Sequence, residues 1–240
     1  MKPRLGQATQ GDVRVTDAAH DNIAPVMQLP KGDKGRRTRA KLIAAARTIF
    51  ERDGLLESRV SDITSEADVS LGTFYNYFVS KEQAFEEVVA EVNEAMLHPL
   101  TGRQTEGAVR NIEDVPAMIE RNNRAYLEAY REQAEFMRRF EEAAHVHEHF
   151  RALRLARASR FATRNARTIA WLQESGHADP SLNPRYVAMA LSGMVGRLAH
   201  DVFVLGQDVP FEDLVFTLTR LWLNALGLND VPIKNGRESS

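Results

Sequence analysis

Two short segments of eight residues each, Val60–Ala67 and Leu71–Phe78, are separated by only Asp68–Ser70. Both follow helical spacing, yet helices this short do not persist in water on their own. A chain that carries such a pair must supply other helices for it to pack against, and both flanks do so. Upstream, Leu42, Ile43, Ala46, Ile49 and Phe50 form a helical stripe, and Gly54 sits where a left-handed C-terminal cap belongs. Downstream, Ser80 followed by Gln83 forms a capping-box pattern that predicts a fourth helix running to about Leu97. Phe74 and Phe78 lie one turn apart and are expected to face inward with Val69, against Ile63 and the Ile49–Phe50 stripe. The expected unit is a compact four-helix head over residues 36–97.

If the phenylalanines face inward, Leu71, Gly72, Thr73, Tyr75, Asn76 and Tyr77 remain on or near the outer side. Gly72 weakens a helix but admits another surface closely. Thr73 and Tyr77 carry hydroxyls suited to phosphate oxygens, and a helix start presents free N–H groups to an anion. Asn76 is short and bears both donor and acceptor, as a base-edge contact requires. Lys81 adds a charge at the start of the next helix. The formal net charge of −2 gives no global attraction to nucleic acid, so a DNA partner needs locally concentrated positive charge. From Lys34 to Lys81 there are nine Lys and Arg against six Asp and Glu, densest at Lys34, Arg36, Arg37, Arg39 and Lys41. A charged first turn alone is equally a solvated one. Taken with the short helix pair and the polar-aromatic face, it favours DNA binding over a bland packing module.

The segment 38–94 closely resembles the DNA-binding head of TetR-type (TetR/AcrR) transcriptional regulators. The matching pattern is TRAKLIAAARTIFERDG, then SRVSDITSEADVS, then LGTFYNYFVSKEQAFEEVV. The resemblance implies that the second and third helices form a helix-turn-helix, with the third entering the major groove. It also implies that Thr73, Tyr77 and Lys81 contact backbone phosphates and that Leu71, Gly72 and Asn76 tune base recognition. Tyr75 falls where a phosphate contact or a brace for the helix is expected. Arg37, in the basic run, completes the expected phosphate-contacting set. Two residues depart from the family pattern: Asp68 stands where a turn glycine is usual, and Thr64 where alanine is usual. Asp visits the left-handed region at a cost, so the turn is expected to survive with some strain.

The rest of the chain reads as helices too, at about 112–133, 135–175, 184–205 and 209–226, with no credible strand alternation. The expected fold class is therefore all-α. Residues 1–35 read as an arm without sustained periodicity, 105–228 as a helical effector-binding and dimerisation body, and 229–240 as a tail. Pro99 and Gly102 mark the break between head and body. Apolar residues on more than one side of the last two helices suit a four-helix interface between two copies, expected at Leu191, Met194, Leu198, Val202, Leu214, Leu218, Leu221 and Trp222. A homodimer would read a partly palindromic site in double-stranded DNA.

An effector pocket is implied by the resemblance rather than by the pattern. Its expected lining is Met118, Tyr126, Tyr130, Phe136, Met137, Phe140, Phe150, Phe161, Ile169 and Trp171, each of which equally suits an ordinary core. Flexible methionines with large aromatics suit a small apolar or amphipathic effector. Arg151, Arg154, Arg157, Arg160, Arg164 and Arg167 recur every three or four residues. They read first as a solvated face or intersubunit ion pairs, and second as a grip on an anionic group. His145 and His149, with Glu141 a turn earlier, read as surface residues before they read as a metal face, and no cofactor is expected.

The chain has no cysteine, which excludes a disulfide framework and thiolate chemistry. No glycine-rich phosphate loop, HExxH pattern or nucleophile–base arrangement appears, so an enzyme is not expected. No apolar run reaches membrane-spanning length and the first thirty residues lack a signal-peptide stretch, so the expectation is a cytoplasmic protein with no membrane partner.

Overall fold

The computed structural model describes residues 32–101 and 111–229, without the side chains of 98–101. The described residues form helices and their connections only: α1 (Asp33–Glu57), α2 (Val60–Glu66), α3 (Leu71–Tyr75), α4 (Lys81–Thr101), α5 (Val115–Glu132), α6 (Ala134–Val146), α7 (Glu148–Glu174), α8 (Pro184–Phe203) and α9 (Phe211–Ala225). A short 3-10 turn, Ile112–Asp114, leads into α5. The expected arm and tail lie largely outside the described residues, as does the connector 102–110. Where the arm does enter them, helix has already begun at Asp33, ahead of the expected start at residue 36.

In the head, Leu42, Ala46, Ile49 and Phe50 of α1, Ile63 of α2, and Phe74 and Phe78 are all buried. Gly54 turns the end of α1 with φ 75 and ψ 174, a backbone state that glycine adopts without a Cβ penalty. The turn between α2 and α3 places Asp68 at φ 49, the one left-handed non-glycine residue among those described. Ser70 caps α3 by accepting from the Thr73 N–H at 3.2 Å. The third helix is shorter than expected: regular structure ends at Tyr75, and Tyr77 and Phe78 donate back to the Phe74 carbonyl through a turn. Five residues suffice because the helix is held by the burial of two phenylalanines rather than by its own hydrogen bonds. At α4 the capping pair forms, with Ser80 Oγ accepting from the Gln83 N–H and Gln83 Oε1 accepting from the Val79 N–H at 2.7 Å.

The body differs from expectation at one place. The single helix expected over 135–175 is two helices, α6 and α7, which pack on each other and are separated by His147 in extended backbone at φ −108 and ψ 123. Neither glycine nor proline marks the break. The physical reason is tertiary: Phe140 of α6 and Phe150 of α7 are both buried, and one straight helix would carry them apart along its axis. The break also removes the one-turn relation between His145 and His149. His145 Nδ1 lies 2.7 Å from the Glu141 carbonyl, while His149 Nε2 faces Glu86 of α4 at 3.1 Å.

Head and body share one continuous core. Phe85 of α4 packs on Phe50 of α1, Phe136 of α6 and Phe150 of α7, at ring-centroid distances of 5.0, 5.2 and 5.0 Å. Above this cluster Arg139 of α6 donates to the Glu51 and Arg52 carbonyls near the end of α1, at 3.1 and 2.7 Å. A cation placed there satisfies carbonyls that the helix end leaves open. α8 packs along α7, and α9 along α5. A two-pronged Arg124–Glu212 pair at 2.8 and 2.9 Å joins α5 to α9.

Candidate nucleic-acid interface and body cavity

Burial of Phe74 and Phe78 turns the opposite side of α3 to solvent. Leu71, Gly72, Tyr75 and Asn76 are exposed, and Thr73 and Tyr77 are half-buried. Asn76 and Tyr77 stand just past the last regular turn. Thr73 Oγ1 is 2.9 Å from Ser70 Oγ, so the two hydroxyls form a pair beside the start of α3. A Cβ built on Gly72 would meet only Ser70 Oγ, at 3.9 Å, so nothing within the chain requires glycine there.

The expected charges divide into two sets. Arg37 is exposed, with no carboxylate partner among the described residues. Arg36 pairs with Asp33, and Arg39 pairs with Glu87 at 2.6 Å while lying over the Phe78 ring. Lys81 is more constrained than a solvent-facing anchor. Its Nζ donates to the Leu56 and Ser58 carbonyls at 3.0 and 2.9 Å, which ties the start of α4 to the α1–α2 junction. An ammonium has three donors, so one remains for a phosphate. Among the sequence departures, Thr64 is buried and its hydroxyl donates to the Ser61 carbonyl at 3.0 Å.

The body carries a cavity of about 1300 Å³, open to solvent on one side, whose wall includes Glu94 and Leu97 of α4. Of the expected lining, Met118, Tyr126, Tyr130, Phe161 and Ile169 are on this wall. Phe136, Met137, Phe140, Phe150 and Trp171 are not. Phe136 and Phe150 belong to the head–body junction, and Met137 and Phe140 are buried against the α7 side chain of Arg157. The hydrophobic pattern could not separate these two sets, because core and cavity wall use the same residue types. The sequence put the arginines of 151–167 first on a solvated face and only second against an anionic group; Arg154, Arg157, Arg160, Arg164 and Arg167 line the cavity, joined by Arg185 and Arg197. The three-to-four-residue recurrence along 151–167 was the signal that could have located most of them. Burial pushes the Tyr126 and Tyr130 phenols up from their usual range and the Arg164 guanidinium down from its own.

The expected dimer face also needs correction. Leu191, Leu214, Leu218 and Trp222 are buried inside a single chain, and Met194, Leu198 and Val202 are half-buried against the same core. Of the expected set, Leu221 is exposed. The apolar residues that α8 and α9 turn to solvent are Tyr186, Met189, Phe216 and Leu221. The two faces of each helix are both apolar, so periodicity could not say which one the protomer takes for itself.

A short turn-linked helix pair with a polar, exposed third helix, mounted on a larger helical body, defines the class of helix-turn-helix DNA-binding regulators. Residues 42–88 match the family model described as bacterial regulatory proteins of the tetR family. Over 202 residues the chain is 26% identical to the HTH-type transcriptional regulator EthR of Mycolicibacterium smegmatis, covering 82% of this chain and 88% of that protein. Among solved structures, Salmonella enterica GusR aligns with TM-score 0.65 at 18% identity, over 82% of this chain and 100% of that one. A TetR-like transcriptional regulator from Rhodococcus sp. RHA1 aligns with TM-score 0.59 at 16% identity, over 79% and 96% respectively. The head over residues 42–88 is thus similar to that of the tetR family of regulatory proteins, a likeness that supports DNA-binding transcriptional regulation at the level of the family. The matched family is described as one of regulatory proteins. No helix among the described residues is long and apolar enough to cross a membrane.

Proposed function

We propose that the protein is a homodimeric repressor that is released from a partly palindromic operator by a small amphipathic effector. The observation that carries this reading is the position of α4. It bears Lys81 beside the reading helix at one end, and Glu94 and Leu97 on the cavity wall toward the other. A ligand that alters the cavity wall acts on the same rigid element that supports the head, which is the coupling that release requires. In this reading α3 enters the major groove, with Leu71, Gly72 and Asn76 at base edges. Thr73, Tyr75, Tyr77, Lys81 and Arg37 hold phosphates. Two copies associate through the exposed faces of α8 and α9, and the protein acts in the cytoplasm. A regulator without a small ligand would have a filled body, and the open volume beside α4 argues against that alternative.

The test begins with selection of bound fragments from genomic DNA, followed by footprinting of the enriched site. A protected, partly palindromic sequence whose affinity falls with added effector is the expected result. Protection of a single half-site by a monomer, or no sequence enrichment, would overturn the proposal.

A further inference from the structure

The face of α7 that meets the cavity is dense in arginine. Arg154, Arg157, Phe161 and Arg164 recur at the spacing of one face, and the three arginines are only half-exposed or less. Their charges are not balanced. Arg154 Nη1 and Arg157 Nη2 share one carboxylate, Glu141, at 3.0 and 3.6 Å, and Arg157 Nη1 turns instead to Met137 Sδ at 2.9 Å. Arg164 has no carboxylate partner among the described residues; Nη2 donates to the Asn122 amide oxygen at 3.1 Å. Two further donors among the cavity-lining residues are buried without a partner, Arg154 Nε of α7 and the Trp222 indole N–H of α9. Burying a charge or donor without its counterpart is unfavourable, and native proteins retain such groups mainly where something else satisfies them. Beside these arginines the wall carries Ile119 and Tyr126 of α5 and Phe161 of α7, together with the polar Asn122 and Asn123.

We infer that the cavity takes an amphipathic anion, with a carboxylate or phosphate oxyanion against Arg164 and an apolar body along Phe161, Tyr126 and Ile119. The guanidinium fork suits either oxyanion in a two-pronged pair, and Asn122 holds it in place. This inference rests on the effector-responsive reading above and names the chemical class of that effector. An oxyanion there supplies the counter-charge that Arg164 lacks, so a ligand without one forfeits the larger part of the polar recognition.

The test is calorimetric titration of the full-length protein with four ten-carbon probes below their aggregation limits: decanoate, decyl phosphate, 1-decanol and decyltrimethylammonium. The expected result is that one or both anions bind about tenfold or more tighter than decanol. Preference for decanoate or for decyl phosphate identifies which oxyanion the site is built for. Arg164→Gln should bring the anions to the level of decanol and leave decanol unchanged. Equal binding of decanol and the anions, tighter binding of the cation, or indifference to Arg164→Gln would overturn the anion class while leaving an effector site in place. Absence of binding by all four would sink the effector reading with it. If Arg164→Gln fails to fold, the comparison of the four probes on the unaltered protein still decides.

Discussion

Asp68, at φ 49, occupies the position between α2 and α3 where the helix-turn-helix needs left-handed backbone. An L-residue pays about 1 kcal/mol there, less for Asp than for a β-branched side chain. Its contact with Lys41 at 3.9 Å is fully solvent-exposed on the aspartate side and adds little. Asp68→Gly is therefore expected to raise the melting temperature slightly, and Asp68→Val to lower it by several degrees, as scanning calorimetry would register. Gly72 has the opposite character. Its place in α3 leaves room for a methyl group, so Gly72→Ala should retain or gain stability, by up to about 1 kcal/mol. If α3 lies against DNA, the same substitution should weaken operator binding by roughly tenfold in a fluorescence-anisotropy titration. Unchanged affinity would remove Gly72 from the reading surface. Lys81→Ala should do both kinds of damage, weakening binding across sequences and also lowering stability by about 1 kcal/mol through the loss of its two carbonyl contacts.

At the scale of elements, α4 is held from both domains. Phe85 touches α1, α6 and α7 at once, which makes the head and the body one packed unit rather than two beads on a linker. Phe85→Ala is expected to cost about 3–5 kcal/mol and to lower the unfolding midpoint of head and body together. Two separate transitions in denaturant would show that the junction does not transmit. The helices of the head were legible in the sequence because caps, a glycine stop and two phenylalanines one turn apart all agree. The break between α6 and α7 was not, because His147 carries no local signal for extended backbone and the bend is imposed by where Phe140 and Phe150 find their partners.

For the molecule as a whole, the balance of charge is local. A net charge of −2 coexists with exposed Arg37 and the partly free Lys81 beside α3. Operator affinity should therefore fall steeply with salt, and Arg37→Ala should reduce the slope of log K against log salt by about 1. Assembly separates two kinds of substitution on the same helix. Phe216→Glu or Leu221→Glu, on the exposed side of α9, should yield folded monomers by light scattering and circular dichroism. Leu218→Glu is fully buried within one chain and should unfold the protein instead. A folded dimer from Phe216→Glu, Leu221→Glu would place the interface elsewhere.

Sequence alone determined the helical class, the short helix pair, the inward phenylalanines and hence the outward set from Leu71 to Tyr77. Those features rest on local periodicity and capping, which act over a turn or two of chain. It could not assign apolar side chains among core, cavity wall and partner surface, because all three draw on the same residues. Only the tertiary structure moved Phe136 and Phe150 to the junction, Leu218 and Trp222 to the interior, and the arginines of α7 to the cavity. Burial is set by which elements meet, and no single element's sequence contains that information.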